Sequence, residues 1–386
     1  MNILFFHRWG INPTGGGVSQ ITHVLANEFS IHGYKVYYLG FQTVDGVEYT
    51  DNQYFLPNNS DLICEENIDY LNSFCRERKI DVVINQNGLY LESVAFVAKA
   101  EGVLRITVIH NCIFTQFRNL AYQHEYKLKQ KNLGWLFNVA KLPLIRNVIT
   151  WVYIQKYSKY YKQIADNSDY ISVMSQGQVD DLKIVLNKSE WKKIVLIPNC
   201  IIPYSLKWEP RSKTVLWVAT IDFMIKRVDL MLKIWKQVQD SHSDWTLKIL
   251  GDSPYSEEAK VYAQQLGINN VSFVGRVDPT DYYLDAQIAC VTSTHESFSM
   301  VIIESFKFGV VPMAFDSFPA AKELIDNGKN GIIIPAFDVN EYAKKVGQLM
   351  DEDDLRENMR KNAYASAQKY FSLSIFEKWK ELFERA

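Results

Sequence analysis

Short β-rich runs alternate with helical patterns along almost the whole chain, and this alternation limits the fold more than any other feature. The first series reads NILFF (2–6), KVYYLG (35–40), DVVIN (81–85), RITVIH (105–110), YISVMS (170–175) and KIVLIP (193–198). A second series follows as TVLWVA (214–219), TLKILG (246–251), VSFVG (271–275), IACVTS (288–293), VVPMAF (310–315) and GIIIP (331–335). Strands joined through helices run parallel and need cover on both faces. Between the two series, PNCIIPYSLKWEPRSK (198–213) carries three prolines and little periodicity, which marks it as a linker. The predicted class is α/β, with two doubly wound parallel-sheet domains facing each other across a cleft.

Composition removes several functions. A hydrophobic share of 47% and a charged share of 22% over 386 residues suit a soluble protein with apolar material for two cores. The net charge of −2 gives no general attraction to nucleic acid. Five cysteines, odd in number and without a CxxC pair, fit a reducing cytosol better than a disulfide framework or a zinc site. The opening MNILFFHRWG lacks a basic n-region and reads as a first strand. The most apolar long stretch, 133–154, is broken by Lys141, Pro143 and Arg146, so no membrane span is expected.

Ligands of such sheets bind at the carboxyl ends of the strands. After the first strand comes NPTGGGVSQ, where Gly15, Gly16 and Gly17 precede a helical pattern. Glycines there permit positive φ and let a phosphate or sugar approach a helix N-terminus. The alternative is a flexible turn. The pattern is not G-x-G-x-x-G and no acid closes the second strand, so a dinucleotide site is weakly supported.

In the second series, HESFSMVIIES (295–305) places Glu296 in a loop and Glu304 inside a helix expected to begin near Ser299. Ser297 or Ser299 is a candidate cap, and Gly309 a stop. The helix start and Glu304 lie roughly 8 Å apart at 1.5 Å per residue, comparable to a nucleotide-sugar diphosphate. The N–H groups of Phe298, Ser299 and Met300 favour an anion between the two acids. Spacing alone serves equally for one capping acid and one buried, paired acid.

The stretch resembles the E-x7-E motif of retaining GT-B glycosyltransferases of family four, usually E-G-F-G-x-x-x-x-E-A. The resemblance covers nearly the whole chain in five ordered blocks: GGGVSQITHVLANEFSIHGYKV, IPNCI, LWVATIDFMIKRVDLMLKIW, LKILGDSP with VSFVGRV, and HESFSMVIIESFKFGVVPMAF through NGKNGIIIP. It implies a GT-B fold of two Rossmann-like domains. The first would be an acceptor-side domain over 1–200, with a basic aromatic insertion at about 113–165. The nucleotide-sugar domain would occupy 201–368, and a C-terminal helix over 369–386 would pack back on the first. Carried over, the resemblance gives Glu296 the donor sugar, Glu304 the ribose, and Lys226 the diphosphate leaving group. Arg276 would lie in the loop facing the base, and His110 would face the donor sugar. Ala219 and Thr220 stand where the family has G-R in G-R-x5-K, and Arg227 is the candidate replacement cation. Ser297 replaces the motif's first glycine, and SFPAAKE (317–323) lacks a glycine pair.

The implied activity is hexosyl transfer with retention from a nucleotide diphosphate sugar, UDP-sugar favoured, to a glycan or lipid-linked glycan acceptor in bacterial polysaccharide synthesis. No cofactor or metal is expected. The alternatives are a GT-B epimerase, a transferase to a small soluble acceptor, and an inactive glycan-binding partner subunit. Residues 126–165 hold eight Lys or Arg, no acid and eight aromatic residues, which leaves −10 for the rest. Such a segment suits an anionic membrane surface, and otherwise a solvated cationic helix. The expected location is cytoplasmic, peripheral on the cytosolic face of the membrane.

Overall fold

The computed structural model describes residues 1–12 and 15–385. Pro13 and Thr14 of the glycine loop and Ala386 lie outside the described residues. The chain forms two compact units, one of residues 1–113, 154–202 and 370–386, the other of 114–153 and 203–369.

The first unit is built on β1 (Asn2–His7), β2 (Lys35–Gly40), β3 (Gln53–Phe55), β4 (Val82–Asn85), β5 (Leu104–Val108), β6 (Tyr170–Val173) and β7 (Ile194–Leu196). They form one sheet in the order β3-β2-β1-β4-β5-β6-β7 with every pairing parallel. Central β1 buries Ile3, Leu4, Phe5 and Phe6 completely, because a parallel sheet covered by helices has no solvent face. Sequence patterning missed β3, a three-residue edge strand whose side chains are all half-buried. The helix Ser372–Arg385 sets Phe376, Trp379 and Phe383 around Phe29 of the helix Gly17–Ile31, with centroids 5.7, 6.5 and 5.8 Å away.

The second unit holds β8 (Thr214–Val218), β9 (Thr246–Leu250), β10 (Val271–Gly275), β11 (Ile288–Val291), β12 (Val311–Phe315) and β13 (Ile332–Ile334). Their order, β10-β9-β8-β11-β12-β13, is again wholly parallel. In each sheet the winding reverses beside the first strand, between β1 and β4 and between β8 and β11. Doubly wound sheets bind ligands at that reversal.

Residues 114–153 belong to this second unit and not to the first, where their place in the sequence suggested an insertion. Side-chain chemistry accounts for the difference. On the helix Leu120–Gln130, Tyr126 stacks on Phe223 with centroids 4.1 Å apart and joins the second core. Tyr122 stacks on Phe337 at 3.9 Å. Arg227 is fully buried, its Nε and Nη2 bonded to the Asp229 carboxylate at 2.8 and 2.9 Å, and its Nη2 to Glu125 Oε2 at 3.0 Å. Burial works against ionisation of Glu125, but Arg227 and Lys129 outweigh it and hold its pKa below the usual value.

This cluster predicts a stability effect. Removing one member of a buried ion group leaves a charge without compensation, at a cost of about 3–5 kcal/mol. Arg227→Met should therefore destabilise the second unit by that order in urea denaturation. A loss below about 1 kcal/mol would show that Asp229 and Glu125 do not depend on it.

Candidate active site

At the reversal of the second sheet, the loop after β8 and the loop after β11 are knitted together. The Asp222 carboxylate accepts the N–H groups of Met224, Ile225 and Lys226 at 2.7, 2.5 and 3.1 Å, which fixes the turn carrying Lys226. Thr292 donates its hydroxyl to the Lys226 carbonyl at 2.8 Å, and the Thr294 N–H donates to the Ile225 carbonyl at 2.7 Å. From this turn the Lys226 Nζ reaches Glu296 Oε1 at 2.6 Å, and the Ser293 hydroxyl donates to the same oxygen at 2.7 Å. Both side chains keep some solvent contact, with 27% and 16% exposure.

The helix Met300–Lys307 begins directly beyond this pair. Its N-cap, Ser299, has φ +80°, and its side chain makes no capping bond. The Ser299 Oγ is buried without a hydrogen-bond partner among the described residues. The first-turn N–H groups, from Ser299 to Val301, have no acceptor within the helix and carry its positive end. Phe298, just before, is buried in the domain and anchors the loop. Glu304 lies on the same helix, where Oε2 accepts the hydroxyl of buried Tyr283 at 3.0 Å. Burial raises the Glu304 pKa, and the Tyr283 bond offsets part of that rise.

Neighbouring strand ends complete this edge. Gly251 has φ +136°, and a Cβ there would stand 1.8 Å from the Ala219 carbonyl oxygen, so only glycine fits. Its N–H donates to the Gly275 carbonyl at 2.8 Å, which ties the β9 and β10 ends together, with Arg276 exposed next to them. Thr220 is exposed at the end of β8. Arg227 does not serve as the substitute cation there: it is committed to Asp229 and Glu125 in the interior.

Asn119 was not legible as a site residue. Its buried amide donates to the carbonyls of Thr294 at 2.7 Å and Ser317 at 2.6 Å, clamping the loop that carries Glu296. No local motif marks it, because both acceptors lie far along the chain.

In the first unit, none of the glycines at 15–17 takes positive φ; Gly16, the helix N-cap, has φ −71°. A Cβ at Gly16 or Gly17 would meet nothing within 4 Å, so the glycines keep the surface open and do not serve a sharp turn. His110, beyond β5, places Nε2 2.6 Å from Gln86 Oε1. Burial, with a contribution from His7, depresses the His110 pKa to about 3. Sequence reading also missed the aromatic group past β1. Arg8 lies over the Trp9, Phe41 and Tyr90 rings at 5.9, 5.4 and 5.8 Å, and Trp9 and Tyr90 present exposed faces of the kind that stack on sugars. The Arg-Trp pair directly after a strand was the available signal.

Among the described residues, no group of three or more His, Cys, Asp or Glu side chains is placed to hold a metal ion. The site's means are therefore a lysine, a helix N-terminus and two carboxylates, a set suited to a diphosphate carrying hydroxyl-rich groups at each end.

The sequence profile named "Glycosyl transferases group 1" matches residues 202–366, which contain all of these second-unit residues except Asn119 and Glu125. Over residues 202–366 the chain is similar to this glycosyltransferase family. It is 30% identical over 185 residues to an uncharacterized glycosyltransferase of Haemophilus influenzae, covering 47% of this chain and 52% of that protein. It is 25% identical over 173 residues, 45% of this chain and 48% of the relative, to the Campylobacter jejuni GalNAc-alpha-(1->4)-GalNAc-alpha-(1->3)-diNAcBac-PP-undecaprenol alpha-1,4-N-acetyl-D-galactosaminyltransferase. The matches thus span about half the length of these relatives. The fold is similar to that of the pneumococcal O-GlcNAc transferase GtfA in complex with UDP and GlcNAc, with TM-score 0.72, 14% identity, and coverage of 100% of this chain and 99% of that one. The two parallel-sheet domains are thereby of the GT-B type.

The His110 environment predicts a pH dependence. A histidine whose folded pKa lies below its unfolded value of 6.5 contributes stability above that pH, and the contribution is lost as pH falls toward about 3. Thermal melting of the wild type should decline through this window, and His110→Gln should flatten the decline. Equal slopes would show that His110 protonates without cost to the fold.

Proposed function

We propose that the chain transfers a sugar, with retention of anomeric configuration, from a nucleotide diphosphate sugar to a glycan or lipid-linked glycan in bacterial cell-surface polysaccharide synthesis. The observation that carries this reading is the Lys226–Glu296 pair set against the N-terminus of the helix bearing Glu304. In this reading the diphosphate lies against the amides of Ser299, Met300 and Val301, and Lys226 turns from Glu296 to the phosphate oxygens. Charge then builds on the leaving phosphate as the bond from the anomeric carbon to the phosphate oxygen breaks, where fixed positive dipoles stabilise it most.

Glu296, released from Lys226, receives hydroxyls of the donor sugar, and Glu304 receives the ribose diol. The Arg276 loop meets the base, which UDP-sugars favour in this reading. The acceptor oxygen bonds to the anomeric carbon on the face the phosphate leaves, and its proton passes to the departing phosphate. His110 offers a neutral imidazole to the donor sugar, and Gly15, Gly16 and Gly17 leave room for it. Lys226 and the helix N-terminus supply the positive charge, so this scheme requires no metal.

Exposed Thr220 favours one rival, an inactive partner subunit, because it places no cation where the family carries arginine. Slow hydrolysis of a UDP-sugar separates active enzyme from such a subunit.

The division of roles is testable by calorimetry with UDP beside transfer assays. Glu304→Ala and Lys226→Ala should each weaken UDP binding about ten- to a hundredfold, the worth of a charged hydrogen bond. Glu296→Ala should lower turnover while UDP affinity holds or rises, since Lys226 loses its competing carboxylate. Equal loss of UDP binding in all three would contradict the assignment.

A further inference from the structure

Residues 133–152 turn an unusual amount of apolar surface toward solvent. Trp135 is 62% exposed, Leu144 73% and Trp151 61%, with Val139, Leu142 and Val148 also exposed. All lie within residues 114–153 of the second unit. On the helix Gly134–Ala140 only Phe137 is buried, so Trp135 and Val139 point outward. The helix Pro143–Asp166 buries only Tyr161, Ile164 and Ala165, all near its far end. Its near end sets Leu144, Val148 and Trp151 at i, i+4 and i+7, one continuous stripe. Single exposed apolar residues are ordinary, whereas this many on two successive helices mark an interaction surface.

Charge around the patch selects the occupant. No acid occurs between residues 126 and 165. Lys131 and Lys141 are exposed beside the apolar stripe. Beside the helix Gly134–Ala140, a cavity of about 590 Å³ is lined by Lys129, Lys141, Lys233 and Lys236 together with Glu125 and Phe137; Lys129 pairs with Glu125, Lys233 with Asp229 and Lys236 with Asp240, which leaves Lys141 for an outside anion. The Lys141 ammonium lies 5.1 Å from the Phe137 ring, and among the described residues no carboxylate pairs with it. Outward tryptophans and leucines framed by lysines suit the headgroup boundary of an anionic bilayer, where indole rings sit at the interface and ammonium groups meet lipid phosphates. Among the described residues no helix is long and apolar enough to cross a membrane.

We infer that the elbow formed by residues 133–152 is a membrane wedge, inserting Trp135, Leu144 and Trp151 into an anionic leaflet while exposed Lys131 and Lys141 meet lipid phosphates. The inference rests on the proposed function only in supplying a reason for such docking, a lipid-linked acceptor. The wedge also gives the proposed cytosolic-face location a defined surface.

The test uses the full chain, with co-sedimentation on phosphatidylglycerol–phosphatidylcholine vesicles and on phosphatidylcholine vesicles at low salt. The wild type should bind the anionic vesicles, with a blue shift in tryptophan emission and quenching by brominated lipid. The double variant Leu144→Asp/Trp151→Asp should bind about tenfold less or weaker still, having lost apolar contact and gained like charge. At 1 M salt, where the Debye length falls to about 3 Å, wild-type binding should drop but not vanish. UDP affinity of the variant should equal that of wild type, which shows the fold intact and keeps the donor site a separate question. Absence of wild-type binding, or equal binding by the variant, would overturn the wedge. So would a wild-type dimer in sedimentation velocity that the variant abolishes, because the patch would then join two copies.

Discussion

One buried guanidinium holds the second domain's site in place. Arg227 adopts left-handed backbone, φ +56°, at the start of the helix Val228–Val238 and spends its hydrogen bonds on Asp229 and Glu125. Burial opposes its charge, yet Asp229 and Glu125 outweigh that cost and keep its pKa above the usual arginine value. With Arg227 held inward, the Asp222-capped turn delivers the preceding Lys226 to Glu296. The same guanidinium secures the helix Leu120–Gln130, whose preceding residue Asn119 clamps the Glu296 loop. Fold, inserted segment and candidate site therefore share one electrostatic anchor.

Legibility followed the range of the interactions. Strands such as NILFF and VVPMAF were readable because central parallel strands must be apolar on both faces. β3 was not: its three half-buried residues carry no pattern that a loop would lack. The carboxylate spacing in HESFSMVIIES was readable because helical rise is constant. The Lys226–Glu296 contact was not, since it joins residues 70 apart through the sheet reversal. Adjacent Lys226 and Arg227 looked interchangeable as anion ligands; only the acids waiting in the interior distinguish them. For the same reason the sequence does not show that residues 114–153 cluster with the second unit, because their allegiance depends on Glu125 and Tyr126 meeting partners about a hundred residues away.

Ser299 shows where local rules yield. A β-carbon-bearing residue at φ +80° costs on the order of 1–3 kcal/mol, and its buried hydroxyl gains no bond in return. The family's usual motif has glycine at this place, which would relieve the backbone. In the proposed function, this first turn presents the amides of Ser299, Met300 and Val301 to the diphosphate, where fixed donors act without reorganisation.

The central claim is that this array, bracketed by Glu296 and Glu304, receives a nucleoside diphosphate. Amide NMR of the isotopically labelled protein during titration with UDP, and with uridine as control, tests it most directly. The predicted result is a shift of the Ser299, Met300 and Val301 amide signals with UDP that uridine does not produce. Tight UDP binding that leaves those three signals unmoved, while amides elsewhere respond, would contradict the account.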